Sequence, residues 1–363
     1  MDDERSSPTR ATGPLRLASS GGAPTLADVA ERAGVSRQTV SNAVNNPDLL
    51  RPDTLVRVQA AIDELGYVPN RAARNLRTRA SHLVGLRMSP VQEGTANAAM
   101  DRFVHSLVWT SREAGYHVLL FSGEGTDPLE GYEDLLRSTA VDAFVVTDTY
   151  LGNPQAAWLR ERRAPFVAFG RPWGDPAARH PWVDVDGAAG TEQATTHLLD
   201  RGHTRIGWVG WDEGSFIGED RRAGWARSLE RRGLPIAGMA SRTDDTVWSG
   251  RDAAAALLDG AGGPPTAFVC ASDTLAVGVL HTLAVRGLHP GRDVAVVGFD
   301  DSQVAQVVHP GLTSVRLPLE EVAAAVVRSL EELMAAPRAA GEGRLLTPTL
   351  TVRASSAPEL APA

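Results

Sequence analysis

Apolar positions change their spacing once along this chain. Residues 24–69 repeat apolar side chains at helical intervals; from residue 82 on, they gather into short unbroken runs. In the first region the spacing predicts three short helices. One opens at Thr25, a good cap with Asp28 three residues on, and runs LADVAERA to Gly34. The next is capped by Ser36, sets Val35, Val40, Ala43 and Val44 on one side, and ends near Asn45-Asn46-Pro47. The last has Pro52 and Asp53 in its first turn, a stripe of Leu55, Val58, Ile62 and Leu65, and a stop at Gly66. A tight turn, Gly34-Val35-Ser36, joins the first two, and Ala30 is small where helices must cross closely.

After residue 82 the strand-like runs are LVGLRM (83–88), HVLLFS (117–122), AFVVTD (143–148), FVAFG (166–170), RIGWVGW (205–211), AFVCAS (267–272) and VAVVGFD (294–300). Amphipathic helices lie between them. Nearly continuous apolar strands alternating with helices predict parallel sheets covered on both faces. The length of this part exceeds what one such sheet needs, so two α/β lobes are expected. The fold class read here is an all-α helix-turn-helix head on an α/β body of two doubly wound parallel-sheet lobes. Residues 1–23, rich in Ser, Gly, Pro and Thr, are expected to be a disordered arm.

Composition adds limits. The chain has 363 residues and a single cysteine, Cys270, so no internal disulfide is possible. No apolar run reaches the ~18 residues of a membrane span. The start, MDDERSSPTR, has no secretion-signal pattern, so a cytoplasmic location and no membrane partner are expected. Every cationic side chain outside histidine is Arg. Residues 1–82 carry 11 Arg against 9 acids, whereas the whole chain has net charge −8. A slightly basic amino-terminal part on an acidic body points to a polyanion met only by that part.

The second helix shows how. Its polar side, Arg37, Gln38, Thr39, Ser41, Asn42 and Asn45, contains no acid. A solvated helix face normally mixes Glu with Lys or Arg. A helix lying in the DNA major groove must instead donate and accept hydrogen bonds at base edges and avoid repelling phosphates. Arg37 can fork onto guanine and Gln38 can pair with adenine. Thr39, Ser41, Asn45 and Asn46 suit phosphates or a groove edge, and Thr25, Ser36 and Asn42 are further candidates for DNA contact. In the next segment, NRAARNLRTRAS (70–81), Ala72, Ala73 and Leu76 share a helical face among Arg71, Arg74, Arg77 and Arg79. It is too short for a stable isolated helix and is expected to fold on DNA. There Asn70, Arg71, Ala73, Arg74 and Arg77 would approach the backbone and minor groove, and Leu76 would wedge between base steps. Bland readings, a polar three-helix bundle and a basic linker, stand beside these.

Enzyme signatures are missing. GEGTDP (123–128) lacks the third Gly of a dinucleotide fingerprint, and GSFIG (214–218) is not a nucleophile elbow. No HExxH occurs, and one Cys with scattered His gives no metal set, so neither cofactor nor metal nor catalytic residue is expected. Binding residues are sought instead past the carboxyl ends of strands. Those positions hold Asp148, Arg171, Trp173, Trp211, Ser272, Asp273 and Asp300, with Arg221 further along. Trp182 and Trp173 flank a Pro-rich segment read as a cleft rim. Planar hydrogen-bonding groups and aromatic faces together suit sugars. Competing readings make Asp273 a helix cap, Trp208 and Trp225 core, and Arg171 a structural ion-pair partner.

TLADVAERAGVSRQTVSNAVN, followed by VQAAIDELGYVPNRAARNLRTRAS, resembles the DNA-binding head and hinge of the lac repressor/galactose repressor family. HLLDRGHTRIGWVG (197–210), DRRAGW (220–225), SDTLAVGVL (272–280) and VAVVGFDDS (294–302) resemble its effector domain in family order. The chain departs from many members at Asn42, Ser272 and Leu317, where they carry Arg, Asn and Gln. The resemblance implies a periplasmic-binding-protein-like body, a homodimer and a near-palindromic double-stranded operator. It places Arg221 and Asp300 against sugar hydroxyls, and the GRPW segment with its many Trp resembles members that sense oligosaccharides. The domain plan is then a head at 24–69, a hinge at 70–81, a body at 82–354 and a tail at 355–363. Within the body, the N-lobe would take about 82–183 and 317–346, and the C-lobe about 184–316 and 347–354. The expected function is a repressor of sugar catabolism genes released by a sugar inducer. The alternative is a purine or phosphorylated-sugar effector acting as corepressor.

Overall fold

The computed structural model describes residues 24–68, 80–88, 98–123, 127–147, 149–212, 214–336 and 341–360. The chain forms two compact units, divided between Ala80 and Ser81. The arm at 1–23 and residues 69–79, with Asn70, Arg71, Ala73, Arg74, Leu76 and Arg77, lie outside the described residues.

The first unit holds α1 (Leu26–Ala33), α2 (Arg37–Asn45) and α3 (Pro52–Leu65). Thr25 caps α1 in a reciprocal box: its hydroxyl accepts from Asp28 N, and the Asp28 carboxylate accepts from Thr25 N at 2.7 Å. Gly34 ends α1 at φ 65°, a left-handed conformation that glycine adopts without penalty. Two residues on, Ser36 Oγ accepts from Thr39 N at 3.1 Å and starts α2. Val29, Ala30, Ala33, Val40, Val58 and Ala61 form the buried centre. Each of the three fully buried valines contributes roughly 1.5–3 kcal/mol.

The second unit contains two six-stranded sheets. The first sheet takes β1 (Leu83–Arg87), β2 (His117–Phe121), β3 (Ala143–Val146), β4 (Phe166–Phe169), β5 (Trp182–Val185) and β11 (Gly343–Leu346). The second takes β6 (Ile206–Trp211), β7 (Ala240–Thr243), β8 (Ala267–Cys270), β9 (Ala295–Asp300), β10 (Thr313–Arg316) and β12 (Thr349–Thr351). Their orders, β11-β5-β4-β3-β1-β2 and β12-β10-β9-β8-β6-β7, repeat one doubly wound plan. Pairing is parallel apart from β10 with β12. Helices α4 (Ala98–Glu113), α5 (Tyr132–Arg137), α6 (Pro154–Glu161) and α12 (Leu319–Ala335) belong to the first lobe. The second lobe holds α7 (Gly187–Asp200), α8 (Phe216–Glu230), α9 (Val247–Leu258), α10 (Asp273–Val285) and α11 (Gln303–Val307). Trp208 and Trp225 are fully buried in its core. Among the described residues no helix is long and apolar enough to cross a membrane.

The chain passes between lobes three times, after β5, after β10 and after β11. Asp186 N donates to Leu346 O at 2.8 Å, which ties two of these crossings side by side. One approximate sequence boundary shifts by two residues. All of β5 pairs in the first sheet, so the lobe boundary falls after Val185 rather than at 183. Residues 355–360 of the tail pack on the second lobe. Ser355 Oγ donates to Val296 O at 2.6 Å and accepts from Thr313 N at 2.8 Å, and Ser356 Oγ meets His197 Nε2 at 2.9 Å. Small hydroxylated side chains here complete the backbone pairing of a sheet margin, a role that polar composition alone hides.

Candidate functional site

On the head, Val40 anchors α2 in the core and leaves Arg37 and Gln38 exposed. Arg37 has no ion pair among the described residues. Gln38 Nε2 donates to Asn42 Oδ1 at 3.0 Å, and Thr39 Oγ1 and Ser36 Oγ lie 2.9 Å apart. Asn45 Nδ2 donates to Ser41 O at 2.7 Å. Thr25 and Ser36 therefore work as helix caps, while Arg37, Gln38 and Asn42 form a neutral-to-basic stripe without an acid on the helix. Such a stripe can reach base edges.

In the body, polar groups converge at the carboxyl ends of strands from both lobes. Arg221, on α8, is 8% exposed. Its guanidinium sits 3.8 Å over the Phe299 ring and 4.9 Å from the Trp211 ring. One Nη donates to Ala271 O and lies 3.5 Å from Asp300 Oδ1. Arg221 Nε and Trp211 Nε1 are buried with no hydrogen-bond partner. Buried polar groups are ordinarily paired, so each of these two donors is costly as it stands. Burial pushes the Asp300 carboxyl up to about 8; Arg221 opposes the shift, and Asp273 and Asp245 add to it. Asp300 also holds φ 107°, a costly conformation outside glycine that re-aims the chain at this strand end.

Arg171 closes the other wall. Its Nε lies 2.6 Å from Asp184 in its own lobe, and an Nη lies 2.8 Å from Asp220 on α8 of the other lobe. Asp220 also accepts from Ala188 N at 3.1 Å. Trp173 stacks on the Arg171 guanidinium at 4.4 Å and lies 5.9 Å from Phe216, again across the lobes. Burial raises the Asp184 pKa, and Arg171 works against it.

Of the candidates past the strand ends, the structure brings together Arg171 with Trp173, and Arg221 with Trp211 and Asp300. Asp148 lies outside the described residues. Ser272 caps α10, accepting from Leu275 N at 3.1 Å and donating to Asp245. Asp273 is not open to a ligand: its carboxylate accepts from Ser302 N at 2.7 Å, Ser302 Oγ at 2.8 Å and Ser314 Oγ at 2.6 Å. A Cβ on Gly298 would stand 2.3 Å from that carboxylate, so glycine is required beneath it. Trp182 is displaced for a different reason. It opens β5, opposite Ala168, away from the strand's carboxyl end, and packs on the first-lobe core and over Gly343. Asp184, Asp220, Asp245, Phe216 and Phe299 escaped the sequence reading. Asp220 had a signal, since it directly precedes Arg221 in EDRRAGW.

A helix-turn-helix head and a two-lobed α/β body with a polar, aromatic cleft define a ligand-responsive DNA-binding regulator. Residues 25–70 match the bacterial regulatory proteins of the lacI family, and residues 195–356 match a periplasmic binding protein-like domain. The HTH-type transcriptional regulator CelR of Thermobifida fusca is 35% identical over 312 residues, covering 85% of this chain and 91% of CelR. A solved CelR–cellobiose complex superposes with TM-score 0.70 at 33% identity, covering 92% of this chain and 99% of that one. The lac repressor dimer bound to operator gives TM-score 0.78 at 27% identity over 93% of this chain and 100% of that one. The chain belongs to the lacI family of bacterial regulatory proteins; it is a DNA-binding transcriptional regulator, not an enzyme.

Proposed function

We propose that this protein is a repressor whose α2 reads a near-palindromic operator as a homodimer and whose cleft binds a sugar that releases it. The observation that carries the reading is Arg221: a buried guanidinium with an unused Nε hydrogen, beside Asp300 and between two aromatic rings. Arg and Asp supply planar donors and acceptors for adjacent hydroxyls, while Trp211 and Phe299 supply apolar faces for ring C–H groups. The CelR–cellobiose complex supports a glucose-derived oligosaccharide as effector. On the head, Arg37 and Gln38 read bases, and the segment carrying Arg71, Arg74 and Arg77 holds phosphates. Sugar binding alters operator affinity only through its preference for one lobe arrangement, typically worth ~1–3 kcal/mol. Selection of bound sequences from random duplex DNA tests this, with and without mono- and disaccharides. An inverted repeat that is enriched without sugar and lost with it is the expected result. Recovery of no repeat overturns the reading.

A further inference from the structure

Ser81 and His82 open the second unit, where the chain arrives from the head. One side chain holds them both. Asp142 Oδ1 accepts from Ser81 N at 2.7 Å and from Ser81 Oγ at 2.9 Å, and Asp142 Oδ2 accepts from His82 N at 2.8 Å. Ser81 Oγ in turn accepts from Leu83 N at 3.1 Å. The carboxylate is itself anchored, because Asp142 N donates to Leu83 O at 2.8 Å beside the pairing of β1 with β3. On the opposite flank, His82 O accepts from His117 N at 2.9 Å, and the His82 ring lies 5.8 Å from that of Tyr116. Strands β3, β1 and β2 are neighbours, so the first residues of the body are fastened from both sides.

The sheet does not need these bonds. β1 begins at Leu83 and pairs from there, and all three bonds to the carboxylate fall on the two residues before it. Bonds from N–H or O–H to a carboxylate are stronger than neutral ones. Here they also hold His82 at φ 54°, a left-handed conformation that is uncommon outside glycine and persists where surrounding contacts impose it. What they fix is the point and direction in which the chain leaves the body for the head. A dimer that reads two half-sites accepts only the separations its geometry allows, so the exit of each chain enters that geometry. We propose that Asp142 is a positioning residue for operator binding: its carboxylate sets the exit of the chain toward the head, and with it the half-site spacing that the protein accepts. This rests on the reading of the protein as a homodimer on a near-palindromic operator.

Fluorescence anisotropy on the full chain tests this with three duplexes: the operator recovered by selection, and the same operator with one base pair more or one fewer between its half-sites. The proteins are wild type, Asp142→Ala and Ser81→Ala, with folding checked by thermal melting and assembly by sedimentation. Wild type should lose about tenfold in affinity on either altered duplex. Asp142→Ala should bind the original operator about threefold to tenfold less tightly, and lose less than about threefold on the altered ones. Ser81→Ala keeps both backbone bonds to the carboxylate and should fall between the two. A folded Asp142→Ala that discriminates among the spacings as wild type does, including one that is weaker on all three by a single factor, overturns the proposal; that uniform loss is what a merely structural role would give. If Asp142→Ala does not fold, Ser81→Ala decides, and a spacing preference equal to that of wild type overturns the proposal. A wild type indifferent to spacing overturns it as well. Recovery of no inverted repeat by wild type overturns the homodimer reading and the proposal with it, a failure visible without any variant.

Discussion

Asp220→Asn removes the charge of the one ion pair that, among the described residues, ties Arg171 to the opposite lobe, and leaves its Asp184 partner in place. Asparagine keeps an oxygen for Ala188 N, which Asp220 now holds at 3.1 Å, so the start of α7 stays paired. The same Asp220 Oδ2 takes the Arg171 Nη at 2.8 Å, so what is lost is the charge of a contact between side chains 21% and 17% exposed, not the oxygen itself. It lies between a solvated pair, worth at most ~1 kcal/mol, and a fully buried one, whose breaking costs ~3–5 kcal/mol. About 1–2 kcal/mol is the fitting figure, and all of it acts on the approach of the two lobes. A ligand that needs the lobes together then binds a smaller fraction of molecules, and its affinity should fall about five- to thirtyfold. Calorimetry for the sugar, paired with fluorescence anisotropy on the operator, measures both sides of the linkage. By reciprocity the sugar's effect on operator affinity must shift as well. A sugar affinity within twofold of wild type would refute the argument, since the pair would then bridge the lobes without biasing them.

Asp273→Ala strands Ser302 N, Ser302 Oγ and Ser314 Oγ in the core, and should cost about 3–5 kcal/mol of stability by denaturant unfolding. A loss below ~1 kcal/mol would return Asp273 to the list of ligand contacts. Asp300, held near 8 against an ordinary 3.8, keeps a proton in the folded state that the unfolded state releases. Its contribution is complete below the ordinary value and fades as pH rises through about 8. Asp300→Asn should therefore flatten the fall in melting temperature between about pH 6.5 and 8.5; an equal slope in both proteins counts against the shift. Arg37→Ala should relax preference at its own base position by ~1–3 kcal/mol in a sequence-selection assay, with sugar affinity unchanged. An unaltered preference at every position would remove Arg37 from base reading.

The head was legible because its cues are local. Thr25, Gly34, Ser36 and Gly66 mark helix ends by their own chemistry, and Val29, Val40 and Val58 fall at helical spacing. The central strands were legible because both their faces are covered, which makes AFVV and AFVC uniformly apolar. Strand β7, ASRT, sits at a sheet edge, and its polar composition gives no such signal. Strand β5 hides for another reason: Asp184, inside WVDV, is there to meet Arg171. In the cleft, Asp300 was legible from its place past the carboxyl end of VAVVGF, and the role of Arg221 and Asp300 toward sugar hydroxyls came from motif resemblance. Asp220 and Asp184 became visible only when folding set them against Arg171, and Asp273 looked like a ligand contact because its serine partners lie 29 and 41 residues away. Trp182 was read as a cleft rim because it flanks the Pro-rich segment with Trp173, and with β5 hidden nothing showed that it opens a strand.

The most direct measurement is an operator titration by fluorescence anisotropy, with cellobiose absent and saturating, on wild type and Arg221→Ala. Wild type should lose operator affinity when the sugar is present, and Arg221→Ala should bind the operator equally in both conditions. Equal operator binding by wild type with and without sugar, or a full sugar response in Arg221→Ala, would contradict control of the head through this cleft.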